Sequence, residues 1–100
     1  AQSDARLKKN ILNLEYGLSE ILALRSVRFD YIADGSEASA RIGFIAQEAA
    51  LHIPEAVNGS EESMYNLAAT EIIPVLVKAI QELKAELDVA KAQIAVLQNP

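Results

Sequence analysis

Ser3 and Lys8 are the one pair in this 100-residue sequence whose types and spacing suit a nucleophile and its base. A serine hydroxyl is a weak nucleophile until a base takes its proton, and a lysine serves as that base when burial favours its neutral form. Such a lysine is expected to be partly buried between a strand pair and the first helix, with backbone N–H groups forming an oxyanion hole. The plainer reading makes Ser3 or Asp4 a helix N-cap and Lys8 a solvated charge. Spacing alone does not choose between them. If Ser3 acts, ring size points to a bond. Attack on the Gln2 carbonyl closes a five-membered ring, whereas attack on its own carbonyl needs a strained four-membered lactone. A cut between Ser3 and Asp4 would need a nucleophile from elsewhere, such as a neighbouring copy.

Other chemistries lack their residues. Cysteine is absent and His52 is the sole histidine, so neither a disulfide nor a metal cage is expected, and no cofactor is implied. The net charge of −5 argues against nucleic acid or an anionic membrane as partner. No run of eighteen apolar residues is present, no signal peptide opens the sequence, and no phosphate-binding loop occurs. Lack of cysteine fits a reducing compartment. A chain of this length buries only roughly 65% of its unfolded surface. With disulfides and metals excluded, association with other chains is the remaining source of stability.

The elements that must position the pair are short. Leu7, Ile11, Leu14, Leu18 and Ile21 recur at helical steps, but Asn10, Asn13 and Gly17 interrupt them. An irregular start and a short helix near 17–25 are expected. Residues 26–33 alternate, with Val27, Phe29 and Tyr31 on one face of a half-buried strand. Asp34-Gly35 marks a turn, and a second strand over 40–46 carries Ile42 and Phe44 on one face, giving a hairpin with a loop of about six residues. Gln47–His52 reads as one or two helical turns stopped by Pro54. Residues 58–63 read as a polar loop, and Asn58-Gly59-Ser60 as a turn rather than a glycosylation site.

The last third carries the clearest periodicity. Ile73, Ile80, Leu87 and Ile94 fall at heptad position a, and Leu76, Leu83, Ala90 and Leu97 at d. Hydrophobic residues make up 51% of the chain but aromatics only 5%, and this aliphatic content suits helix seams. Glu86 at g precedes Lys91 at e by the five residues that suit an interchain pair in a parallel coil. Pro74 must lie near the helix start, with Thr70 as its expected N-cap. Ile at a with Leu at d leans to two strands, while Ala90 and the mixed a layer leave the strand number open. The expected fold is α+β: a compact part over 1–67 with a hairpin and short helices, then a C-terminal coiled-coil helix over 68–100.

The opening run Ser3-Asp4-Ala5-Arg6-Leu7-Lys8-Lys9-Asn10-Ile11 resembles the first motif of the intramolecular chaperone domains of phage endosialidases, tail fibres and neck appendages, and of a similar domain in myelin regulatory factor. Further matches follow in that family's order: Leu24-Arg25-Ser26-Val27-Arg28-Phe29-Asp30-Tyr31, then Gly43-Phe44-Ile45-Ala46-Gln47-Glu48, Pro54-Glu55-Ala56-Val57, Tyr65, and Ala79-Ile80-Gln81-Glu82-Leu83. Arg41 stands where the family pattern has histidine, and Ala49 where it has valine.

The resemblance implies a parallel homotrimer at the C-terminus of a phage tail spike or fibre. It implies a chaperone that folds the upstream segment of its own polypeptide and then releases itself as a single-turnover serine endopeptidase. Ser3 would be the nucleophile and Lys8 the base, with Gln2, Ser3 and Asp4 framing the cut. Arg6 and Asn10 would position the loop. Gly43 either admits close backbone approach at the site or forms a simple bulge. The setting would be the host bacterial cytoplasm during phage assembly, with the released domain absent from the mature virion. The alternative is a permanent, non-catalytic trimerisation cap.

Overall fold

The computed structural model describes residues 2–99; Ala1 and Pro100, the ends of the two expected parts, lie outside them. The architecture is α+β, with two antiparallel hairpins, two short helices and one long C-terminal helix. In chain order these are α1 (Leu18–Ala23), β1 (Val27–Phe29), β2 (Arg41–Gly43), α2 (Ala46–Ala50), β3 (Val57–Ser60), β4 (Met64–Leu67) and α3 (Ile73–Gln98). Single 3-10 turns link several of them.

The expected short helix is α1. Glu20 accepts the Gly17 N–H at 2.7 Å, satisfying a donor at the helix entry. Gly17 is buried against α3, where a Cβ would collide with the Glu82 carboxylate and crowd the Lys78 stem. Lys78 in turn donates to the Leu14 carbonyl at 3.0 Å, so the chain before α1 is fastened to α3.

The first hairpin forms with Val27 opposite Gly43 and Phe29 opposite Arg41. Its strands are shorter than the expected 26–33 and 40–46, and its loop runs over residues 30–40 rather than about six residues. Aspartates hold that loop instead of ladder hydrogen bonds: Asp30 accepts the Ala40 N–H at 2.9 Å, and Ser39 joins the Tyr31 N–H to the Asp34 carboxylate. Ile42, expected to share a packed face with Phe44, is exposed. Regular pairing of Gly43 with Val27 excludes the bulge reading.

Residues 58–63 are not simply a loop. Val57–Ser60 and Met64–Leu67 pair as a second hairpin around a turn at 61–63. Gly59 makes it possible: at φ 102° its missing Cβ leaves room for the Met64 carbonyl across the ladder. Asn58, Gly59, Met64, Tyr65 and Asn66 are exposed, so the two strands show no alternation of buried apolar and exposed polar residues that would have advertised them.

The core is small. Ile53, Ala56, Ile72 and Val75 are buried together, with Leu14, Tyr16, Ile21, Leu24, Phe44 and Leu67 half-buried around them. Pro74 lies in the first turn of α3, where its missing N–H costs nothing. Thr70 is not the cap. It sits in a 3-10 turn over Ala69–Glu71, and buried Ile72 takes the cap position with its carbonyl accepting the Leu76 N–H at 3.0 Å.

Two faces of α3 differ. Val75, Lys78, Ala79 and Glu82 turn toward the chain's own domain. The a and d residues Ile73, Leu76, Ile80, Leu83, Leu87, Ile94 and Leu97 are all exposed. The accessible surface is 8383 Å², whereas a compact monomer of this mass exposes about 5,500 Å². The radius of gyration is 19.0 Å, against about 13 Å for a compact domain of this length. The chain is elongated around an under-covered helix.

Candidate active site

A capped turn builds the N-terminal site. Asp4 stands at the N-cap of a 3-10 turn over Ala5–Leu7, with its carboxylate accepting the Arg6 backbone N–H at 2.9 Å. The Arg6 guanidinium donates back to the same carboxylate, Nε to Oδ1 at 3.1 Å and Nη2 to Oδ2 at 2.9 Å. This hydrogen bonding holds the Asp4 carboxyl below its usual range and raises Arg6 above its own. The Leu7 N–H donates to the Asp4 carbonyl and the Lys8 N–H to the Ala5 carbonyl, closing the turn. The reversal returns Lys8 toward Ser3, and Lys8 Nζ donates to Ser3 Oγ at 2.5 Å.

Asn10 follows at φ 53°, a left-handed conformation that asparagine tolerates better than most residues, and redirects the chain into its extended run. The turn thus brings Ser3 to Lys8 and Asp4 to Arg6, with Asn10 at its exit. Gly43 is not part of the cluster. The cleft at the turn is lined by Gln2, Ser3, Asp4, Arg6 and Leu7, while Gly43 lines clefts beside the two hairpins. Lys8 is not enclosed between the hairpin and α1 as expected, because every residue from 2 to 13 is exposed. Five residues of turn suffice for the contact but not for its cover.

A tether behind the site escaped the sequence reading. Tyr16 donates its hydroxyl to the Glu55 carboxylate at 2.9 Å across 39 residues. That carboxylate raises the Tyr16 phenol above its ordinary range, chiefly through the hydrogen bond. No local spacing announces a partner so far along the chain. The signal available was Tyr16 next to Gly17 and after Asn10 and Asn13, a cluster that an amphipathic helix does not explain. Among the described residues, no group of His, Asp or Glu gathers to hold a metal ion. No helix among them is long and apolar enough to cross a membrane.

Fold and site together define a small α+β module with a serine–lysine contact near its N-terminus and a long C-terminal helix whose apolar seam is exposed. A peptidase family described as the chaperone of endosialidase matches residues 3–58, from the site serine to the start of the second hairpin. The chain belongs to that family. It is 32% identical over 100 residues to a long tail fiber protein Gp37 of Enterobacteria phage M1, covering 93% of this chain and 40% of that protein. It is also 33% identical over 93 residues to a long tail fiber protein Gp37 of Enterobacteria phage Ox2, covering 86% of this chain and 37% of that protein. The chain thus spans about two fifths of the length of these curated relatives.

Proposed function

We propose that the chain is the C-terminal intramolecular chaperone of a phage tail spike or fibre, which joins three copies in parallel through α3 and then cuts itself free. The observation that carries the cleavage step is the Ser3–Lys8 contact in a member of a peptidase family. With neutral Lys8 the same contact runs in reverse, and the hydroxyl donates its proton to Nζ. Oγ attacks the Gln2 carbonyl carbon, and the Gln2–Ser3 C–N bond breaks as its nitrogen gains a proton from Lys8. The product is an ester on Ser3 beside a free Ser3 amine. Water hydrolyses the ester, leaving a Gln2 carboxylate and restoring the hydroxyl. Asp4 and Arg6 hold the turn, and Asn10 sets its exit.

The exposed seam of α3 supports association. The surface beyond that of a compact monomer is about 2,900 Å², more than one standard interface contribution of about 800 Å² per partner. Upstream fibre strands pair non-locally and fold slowly. A three-chain coil raises the effective concentration of their ends. Cleavage then leaves the assembled fibre kinetically trapped in the host cytoplasm, with the chaperone absent from the mature virion.

A reporter protein fused ahead of Ala1 tests the cleavage. Two bands on a denaturing gel are expected. A single uncut band from an oligomeric sample would favour a non-catalytic trimerisation cap, consistent with the exposure of Ser3 and Lys8.

A further inference from the structure

Each chain carries two apolar parts without a partner. The first is an arm at residues 7–13. Among the described residues, no backbone N–H from 9 to 16 donates a hydrogen bond. Leu7, Ile11 and Leu12 lie open, Leu12 at 87% exposure. The second is a groove of about 380 Å³ lined by Ile21, Leu24, Phe44, Ile72, Ile73 and Leu76. It continues past Phe44 into a cleft along β1 and β2. Among the described residues that hairpin makes no extensive contact with another element, and two strands without such support are marginal in water.

The arm does not fill its own groove, since all of it is exposed. It leaves the core at Leu14, which Lys78 fastens, and just before Tyr16, which Glu55 fastens. From Leu14 to Leu7 an extended chain reaches about 23 Å, while packed helices sit about 8–10 Å apart. Ile73 and Leu76 belong both to the groove and to the seam of α3. Association through that seam therefore sets each groove beside a neighbouring chain, within the arm's reach. We propose that the arm of one copy docks through Leu7, Ile11 and Leu12 in the apolar groove of a second copy. The inference rests on the seam reading of α3. Docking also carries the Ser3–Lys8 pair, which flanks Leu7, onto the neighbour's surface.

Because the chain has no cysteine, introduced thiols report single contacts. Copies carrying Leu12→Cys are co-expressed with copies carrying Thr70→Cys at the exposed rim of the groove, then oxidised mildly. No chain holds both thiols, so a linked pair must join two copies. The expected result is a disulfide-linked pair about tenfold or more above that from Leu12→Cys with Glu62→Cys, as the local concentration at a docked contact requires. Light scattering on the same sample reads the seam separately. An intact oligomer without the Leu12–Thr70 link overturns the docking and leaves the seam reading standing. A link formed only when one chain carries both thiols places the arm in its own groove and also overturns it. A monomer removes both.

Discussion

Arg25 grips Glu48 with two parallel hydrogen bonds, Nε to Oε1 at 3.0 Å and Nη2 to Oε2 at 2.6 Å. The pair joins the entrance of β1 to α2 across 23 residues, so one fork aligns the first hairpin with the second helix. The hydrogen bond to Arg25 holds the Glu48 carboxyl below its ordinary 4.5. A depressed folded value contributes stability above the unfolded value, lost as pH falls through the folded one. Glu48→Gln should therefore lower the melting temperature modestly at pH 7, with the gap to the parent closing below about pH 4.5. Thermal unfolding between pH 7 and pH 3 reads both curves. A gap that stays constant with pH would assign Glu48 a packing role alone.

Ile53 is among the largest side chains to lose nearly all contact with water, at 1% exposure. With so few buried residues beside it, the site has little means to collapse around a void. Ile53→Ala should cost about 2–5 kcal/mol. Denaturant unfolding at one fixed protein concentration measures it, because association adds a concentration-dependent contribution. A loss below that range would mean that neighbouring side chains refill the space.

The seam of α3 predicts a position-dependent effect. Ile80 and Leu83 are 66% and 53% exposed in the single chain, and Val89, outside the a/d pattern, is 59% exposed. Exposure alone does not separate them; heptad position does. Ile80→Asp with Leu83→Asp should yield monomers in light scattering, whereas Val89→Asp should leave the oligomer intact. An oligomer that survives the double change would refute association through the seam.

What the sequence disclosed follows from where its signals are local. α3 was legible because a 3-4 repeat over eight positions from Ile73 to Leu97 survives any neighbour, and α1 because Gly17 marks its start. The Ser3–Lys8 contact was legible as a pair of types, and the turn that Asp4 caps supplies the geometry. β3 and β4 were not legible: their ladder depends on Gly59 and a serine turn rather than on alternating apolar residues. The long loop at 30–40 was also missed. Its closure comes from aspartate and serine side chains accepting backbone N–H groups, which composition does not distinguish from an open loop. Tyr16–Glu55 and Arg25–Glu48 depend on the tertiary fold and have no local signature.

Ser3 and Lys8 act as one unit in the proposed reaction. Ser3→Ala and Lys8→Ala should each abolish cleavage of a fused reporter, and the double variant should be no worse than either. Lys8→Arg should fail as well, because a guanidinium does not surrender its proton near neutral pH. Circular dichroism and light scattering should match the parent in every case, since both side chains are exposed and touch no core residue. Cleavage by Lys8→Arg at the parental rate would remove Lys8 from the role of base.

The position of the cut is the sharpest test of the chemistry. Ser3 Oγ reaches the Gln2 carbonyl carbon through its own Cβ, Cα and nitrogen, a five-membered path. Its own carbonyl lies one atom closer, through a four-membered lactone whose strain opposes attack. Within one chain the proposed reaction is therefore expected to break the Gln2–Ser3 bond and release a fragment that begins with Ser3. Hydroxylamine adds a second reading, because it intercepts the ester on Ser3 and leaves a hydroxamate on the upstream product. Intact-mass spectrometry of both products after cleavage, with and without hydroxylamine, distinguishes the routes. A C-terminal fragment starting at Ser3, with a hydroxamate upstream, is the expected pair. A fragment starting at Asp4 would rule out the acyl shift and require a nucleophile supplied by another residue or another copy.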